Sequence, residues 1–140
     1  MISSRLTRRD SLLFVYGTLR AFVDIPMARW LRRKARFVGP ATTRGRLYDL
    51  GPYPGMRPAR HRGETVVGDL YRVANPRVLR VLDRYEAGAT MRDARFVRAR
   101  CFARLTGGRA RAAWVYCYRR RVASAARIRS GDYRVHHRAP

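Results

Sequence analysis

Glu86 draws attention through its position in the stretch NPRVLRVLDRYEAG, residues 75–88. Asn75 is suited to cap a helix, Pro76 to occupy its first turn and Gly88 to follow its end. At about 100° per residue, Arg77, Arg80, Asp83 and Arg84 share one face, and Val78, Leu79, Leu82 and Tyr85 share the other. Glu86 follows Leu79 by seven positions and Leu82 by four, so it falls on the apolar side, in the last turn. Burial and the negative end of the helix dipole both disfavour a carboxylate there. They raise its pKa toward the range in which a general base works near neutrality. Two structural readings compete: an ion pair, for instance with Arg98, or a frayed helix end that lets the side chain reach water.

A second candidate is Tyr16-Gly17-Thr18-Leu19, at the end of the apolar run in SLLFVYGTLR. A glycine where a buried strand stops lets the backbone approach a ligand and exposes N–H groups that can hold a carboxylate or an oxyanion. The same glycine also fits a bulge that only turns the chain. Other chemistry finds little support. His61 stands alone in a loop, and His136-His137 lie in a basic segment without a nearby carboxylate or thiol, so no metal site is expected. Neither a phosphate-binding glycine loop nor a nucleophile elbow is present.

These groups need elements to hold them. A first strand is expected over Leu12–Tyr16. A helix is expected from near Asp24, taken as its N-cap with Pro26 close behind, burying Met27, Trp30 or Leu31, and Ala35 until Gly39. The segments TRGRLYDL (43–50) and ETVVGDLYRV (64–73) alternate as strands, with a Gly/Pro-rich loop over residues 51–63. Residues 95–120 read as a hairpin about Gly107-Gly108. Phe96, Cys101 or Phe102, and Leu105, with Trp114, Tyr116 and Tyr118, would cover a core while the interleaved arginines stay wet. Residues 124–140 read as loop or short strand. The organisation is α+β: a basic tail over residues 1–10, expected to be flexible, and one domain over 11–140.

The 140 residues suit one domain, and 46% hydrophobic content argues against global disorder. Without a long apolar run or a leader-like N-terminus, neither a membrane span nor a secretory signal is expected, and a cytoplasmic location follows. Cys101 and Cys117 lie in apolar strand-like runs and read as buried free thiols, with a cross-strand disulfide or redox role as the alternative. The formal charge is +23, and Lys34 is the one lysine among 32 basic residues. Such a charge invites nucleic acid. The arginines are nevertheless scattered, and their excess over lysine also fits GC-rich coding bias. The densest cluster, ARWLRRKAR (28–36), is a solvated helix face, a polyanion patch or a membrane-surface helix.

In order along the chain, FVYGTLR, GRLYDLGPYPGM, VVGDLYRV, VLDRYEAG, AWVYCY and SGDY resemble the gamma-glutamylcyclotransferase-like family, in its bacterial and gamma-glutamylamine cyclotransferase branch. The resemblance covers about residues 12 to 135. It implies a small mixed β-barrel with packed helices and a cavity beside the strand-end loop. It also implies that Glu86 is the catalytic base and that Tyr16, Gly17, Thr18 and Leu19 bind the substrate, a small γ-glutamyl compound, with no metal or organic cofactor. Gly17 would keep the strand-end backbone open for the amides of Gly17, Thr18 and Leu19. Two departures stand out: Ala87 follows the glutamate where the family has glycine, and Phe96-Val97-Arg98 replaces a Tyr-x-Arg. Three readings follow: a cyclotransferase, a family member that binds without turnover, and a basic nucleic-acid-binding protein on the same fold, with non-specific polyanion contacts.

Overall fold

The structure, a computed structural model, describes residues 11–88 and 94–138. The basic segment 1–10 lies outside them. Strand β1 (Ser11–Val15) is buried along nearly its whole length on both faces, and that is why its sequence runs apolar without alternating. Leu12 and Phe14 enter one core cluster, and Leu13 and Val15 enter a second on the other side. β1 pairs antiparallel with β5 (Thr65–Val73), which pairs with β2 (Arg36–Arg44). β2 pairs with β6 (Phe96–Leu105), and β6 with β7 (Ala110–Tyr118). β7 returns in parallel to β1 through Leu13 and Trp114, closing a five-stranded barrel. Beyond that contact the same edge of β7 takes up β4 (Pro54–Arg57), through Met56 and Cys117. β3 (Arg46–Asp49) and β8 (Arg127–Ile128) extend the sheet outward from β4.

Where β7 hands over from β1 to β4, a side chain fills the seam. The Tyr16 hydroxyl donates to the Tyr116 carbonyl at 2.6 Å and accepts from the Met56 amide at 3.0 Å. It thereby bonds one backbone group of β7 and one of β4 across the seam.

Helix α1 (Pro26–Lys34) follows the first strand, and α2 (Pro76–Ala87) packs on β6 and β5. Asn75 accepts from the Arg77 amide, Pro76 opens α2, and Val78, Leu79 and Leu82 are buried beneath it. Each such aliphatic side chain contributes roughly 1.5–3 kcal/mol when fully buried. A short helix, α3 (Tyr133–Arg138), follows β8; Asp132 caps it, accepting from the Arg134 amide at 3.0 Å.

Several expectations need correction. Asp24 does not cap α1: Ile25 precedes the helix, and Asp24 pairs with Arg29 at 2.6 Å. α1 ends at Lys34 instead of near Gly39, because residues from Arg36 onward pair with β5 and join the barrel as β2. The loop over 51–63 contains β4, whose short PGMR sequence shows no alternation. Of the hairpin alternatives, Cys101 faces the barrel interior while Phe102 is 69% exposed. The C-terminal segment holds α3 as well as a short strand. Among the described residues, no helix is long and apolar enough to cross a membrane.

Candidate functional site

The chain leaves β1 at Tyr16 and turns at once, with the Arg20 amide donating to the Gly17 carbonyl at 3.1 Å. Gly17 has no left-handed φ; a Cβ there would lie 2.6 Å from Cγ of Pro54. The glycine therefore makes room for the start of β4, a different use from the open backbone expected of it. The turn is anchored behind by Arg20, which is buried. Its Nε lies 3.4 Å from Asp69 and its Nη1 3.1 Å from Asp132, and Asp69 also accepts from the Ala21 amide at 2.8 Å. Asp69 belongs to VVGDLYRV and Asp132 to SGDY, so two distant segments meet at the end of FVYGTLR. Two carboxylates and a guanidinium satisfy one another, offsetting much of the desolvation that burial imposes.

A cavity of about 230 Å³ opens between this turn, Tyr53 and Pro54, the last turn of α2 and the start of β6. Tyr16, Gly17, Thr18, Leu19, Tyr85, Glu86, Arg95 and Tyr116 are among its lining residues. All the candidates read from the sequence thus meet at one cavity. The amides of Gly17, Thr18 and Leu19 find no acceptor among the described residues.

Glu86 keeps some surface as a residue, but its carboxyl group is desolvated, which pushes its pKa up to about 7. Among the described residues no cation offsets the burial, and Glu86 is the one carboxylate with no basic side chain bonded to it: Asp24 holds Arg29, Asp49 the His136 ring, Glu64 Arg127, Asp69 and Asp132 Arg20, and Asp83 Arg98. The alternative of a Glu86–Arg98 pair is thereby corrected. Asp83, which the helical wheel assigned to the polar face, takes Arg98 at 3.0 Å and the Tyr116 hydroxyl at 2.6 Å.

The surrounding phenols respond to Glu86. Tyr16 is raised well above the ordinary tyrosine value, chiefly by burial and then by the charge of Glu86. Tyr116 is raised by burial and by donation to Asp83, with a smaller contribution from Glu86. Tyr85, expected on the buried face of α2, is 43% exposed at the cavity edge. The Tyr16 hydroxyl has given its one proton to the Tyr116 carbonyl and one lone pair to the Met56 amide, so it has no donor left for a ligand, and Tyr16 offers the cavity chiefly its ring and main chain.

Sequence reasoning passed over four contributors: Arg20, Tyr53, Arg95 and Tyr116. Arg20 was legible as the residue ending FVYGTLR, and Asp69 and Asp132 as lone acids in otherwise basic segments; their convergence required the fold. Tyr53 and Arg95 carried no local signal. The Nη1 of Arg95 donates to the Tyr53 hydroxyl at 2.9 Å, and Tyr53 stands edge-on to Phe96 with centroids 5.7 Å apart.

The family model described as gamma-glutamyl cyclotransferase, AIG2-like, matches residues 13–135. No curated protein sequence matches significantly. Similar solved structures include YkqA from Bacillus subtilis, 24% identical with a TM-score of 0.71, over 91% of this chain and 41% of that one. The chain therefore spans under half the length of YkqA. An AIG2-like protein from Mus musculus is 21% identical with a TM-score of 0.68, covering 89% of this chain and 88% of its own. A protein named gamma-glutamyl cyclotransferase is 15% identical with a TM-score of 0.59, over 79% of this chain and 67% of that one. These identities bear on the fold.

Proposed function

The chain belongs to the gamma-glutamyl cyclotransferase, AIG2-like family, and from that premise we propose that it releases 5-oxoproline from a γ-glutamyl amine or amino acid, with Glu86 as general base and acid. One observation carries the reading: the only described carboxyl group with no basic side chain bonded to it, with a pKa of about 7, shares a cavity with three consecutive amides that have no acceptor among the described residues.

The chemistry asks for little else. The neutral α-amine of the substrate attacks the γ-carbonyl carbon, forming the ring C–N bond, and its nitrogen gives a proton to the Glu86 carboxylate. The amides of Gly17, Thr18 and Leu19 stabilise the oxyanion that develops. The oxyanion then collapses, the bond to the departing nitrogen breaks, and protonated Glu86 returns the proton to that nitrogen. The products are 5-oxoproline and a free amine, and Glu86 ends ionised as it began. Holding amine and carbonyl within one small cavity supplies the effective concentration that makes an intramolecular closure fast.

The test is an assay of 5-oxoproline release over a panel of γ-glutamyl amines and amino acids, with ligand binding measured in parallel. Turnover of any member, dependent on Glu86, supports the reading. Binding without turnover across the panel would make the chain a ligand-binding member of the family instead.

Polyanion binding is a second reading. The outer face of β6 carries Arg100 and Arg104 on either side of exposed Phe102, and Arg100 lies 4.3 Å over the Trp114 ring. Guanidinium groups beside an exposed ring suit a nucleic-acid backbone and its bases.

A further inference from the structure

Arg95 is the cation on the wall of the cavity, and the reaction sketched above gives it no task. Its main chain is fixed at both sides: the amide donates to the Ala87 carbonyl at 3.2 Å, and the carbonyl accepts from the Arg119 amide at 2.8 Å. Its guanidinium is also placed. A Cβ on Gly88 would lie 2.5 Å from Nη2 of Arg95, so the glycine, at φ +85°, leaves the room that the side chain fills. On the other side Nη1 donates to Tyr53, whose ring is braced against Phe96. Among the described residues Arg95 has no carboxylate partner, and the raised pKa of Glu86 is set by burial. The remaining guanidinium N–H groups form a held, cationic fork, the arrangement that recognises a carboxylate through two parallel hydrogen bonds.

The burial gradient indicates which carboxylate. The attacking α-amine has to reach the desolvated carboxyl of Glu86, and the α-carboxylate sits on the same carbon, so both stay at the inner end beside the amides of residues 17–19. The departing group extends the other way, toward the exposed rim where Arg95 stands. We propose that Arg95, positioned by Tyr53 and Gly88, binds the carboxylate of the departing amino acid. It thereby selects γ-glutamyl amino acids over γ-glutamyl amines that lack that group. This rests on the cyclotransferase reading and adds the specificity it leaves open.

The test separates binding from turnover. Glu86→Gln protein is titrated calorimetrically with γ-glutamylalanine and with γ-glutamylethylamine, its counterpart without the carboxylate, with Arg95 intact and as Arg95→Gln. With Arg95 intact, γ-glutamylalanine should bind about 10- to 100-fold more tightly, the usual worth of charged hydrogen bonds. Arg95→Gln should abolish the preference by weakening γ-glutamylalanine alone, and Arg95→Lys should restore only part of it. Tyr53→Phe should reduce it to a lesser degree. In Glu86-intact protein Arg95→Gln should raise KM for γ-glutamylalanine with kcat little changed, a split that a merely structural residue would not give. Equal weakening of both ligands would place Arg95 on the α-carboxylate, and an unchanged preference would remove it from recognition; either overturns the inference while sparing the cyclotransferase reading. Failure of both ligands to bind, with no turnover, would remove that reading and this inference with it.

Discussion

The Nε of Arg98 lies 3.0 Å from Oδ1 of Asp83, three residues before Glu86 on the same helix. That pair satisfies the arginine expected to compete for Glu86. Arg98 also stacks 4.5 Å over Trp114 on the outer barrel face, so its side chain is held away from the cavity role. Asp83 in turn receives the Tyr116 hydroxyl. One carboxylate of α2 fixes the helix to the barrel, and the other, Glu86, has no ion-pair partner among the described residues.

The stability of the domain should record that difference. Burial holds the pKa of Glu86 at about 7, above its ordinary value of 4.5. Between those values the folded chain binds more protons than the unfolded one, so stability falls as pH rises through this window and is level again above it. At about 1.4 kcal/mol per unit, the penalty at alkaline pH is of order 3 kcal/mol. Glu86→Gln removes the titration. The variant should melt higher than wild type at pH 8, and the gap should close by pH 5 (roughly the usual glutamate range). Comparing the two proteins cancels the other carboxylates; a variant that melts lower at every pH would mean that Glu86 is a structural partner.

Turnover should follow the same group. Glu86→Gln keeps shape and much of the hydrogen bonding but cannot accept the proton, so 5-oxoproline release should fall about 10²- to 10⁴-fold. In wild type, kcat/KM should rise with pH through a limb near the Glu86 pKa of about 7. Residual activity in the variant should lack that limb. Undiminished turnover would reject Glu86 as the base.

What the sequence disclosed, and what it hid, follows from the range of each interaction. The position of Glu86 on the apolar side of α2 was legible because a capped helix with regular periodicity is a local object. The same periodicity placed Asp83 with the polar residues, and nothing local says that Tyr116, 33 positions later, donates to it. β4 was hidden because four residues, two of them proline and glycine, owe their strand state to pairing with β3 and β7. The purpose of Gly17 was misread for a similar reason: its neighbour Pro54 lies 37 residues away in the chain.

The charge makes a separate prediction. Most arginines have no carboxylate to pair with, since the chain holds 32 Lys and Arg against 9 Asp and Glu. Single-stranded nucleic acid should therefore bind weakly and without sequence preference, losing affinity steeply as salt rises because bound counterions are released. Filter binding or fluorescence anisotropy between 50 mM and 200 mM salt (about the range over which such contacts fade) measures the slope. If β6 is the contact face, Phe102→Ala should weaken what remains at the higher salt. Tight, sequence-selective binding there would make nucleic acid the principal ligand.

Tyr16 makes the last prediction, because its hydroxyl joins β1, β4 and β7 at the barrel seam. Tyr16→Phe leaves the ring in place but strands the Tyr116 carbonyl and the Met56 amide, which the hydroxyl reaches at 2.6 Å and 3.0 Å. Burying two unsatisfied backbone groups should cost about 1–3 kcal/mol for each, more than the loss of one exchanged hydrogen bond. Urea unfolding should show a lower midpoint with an unchanged slope, since the barrel still buries the same surface. Tyr85→Phe is the control: Tyr85 is half exposed at the edge of the same cavity, so its loss should leave stability nearly unchanged. Kinetics then separate the two roles open to Tyr16. A seam residue predicts a lower midpoint with KM for the γ-glutamyl substrate unchanged at temperatures where the variant is folded. A raised KM with an unaltered midpoint would mean that the hydroxyl gives up its backbone partners to bind substrate.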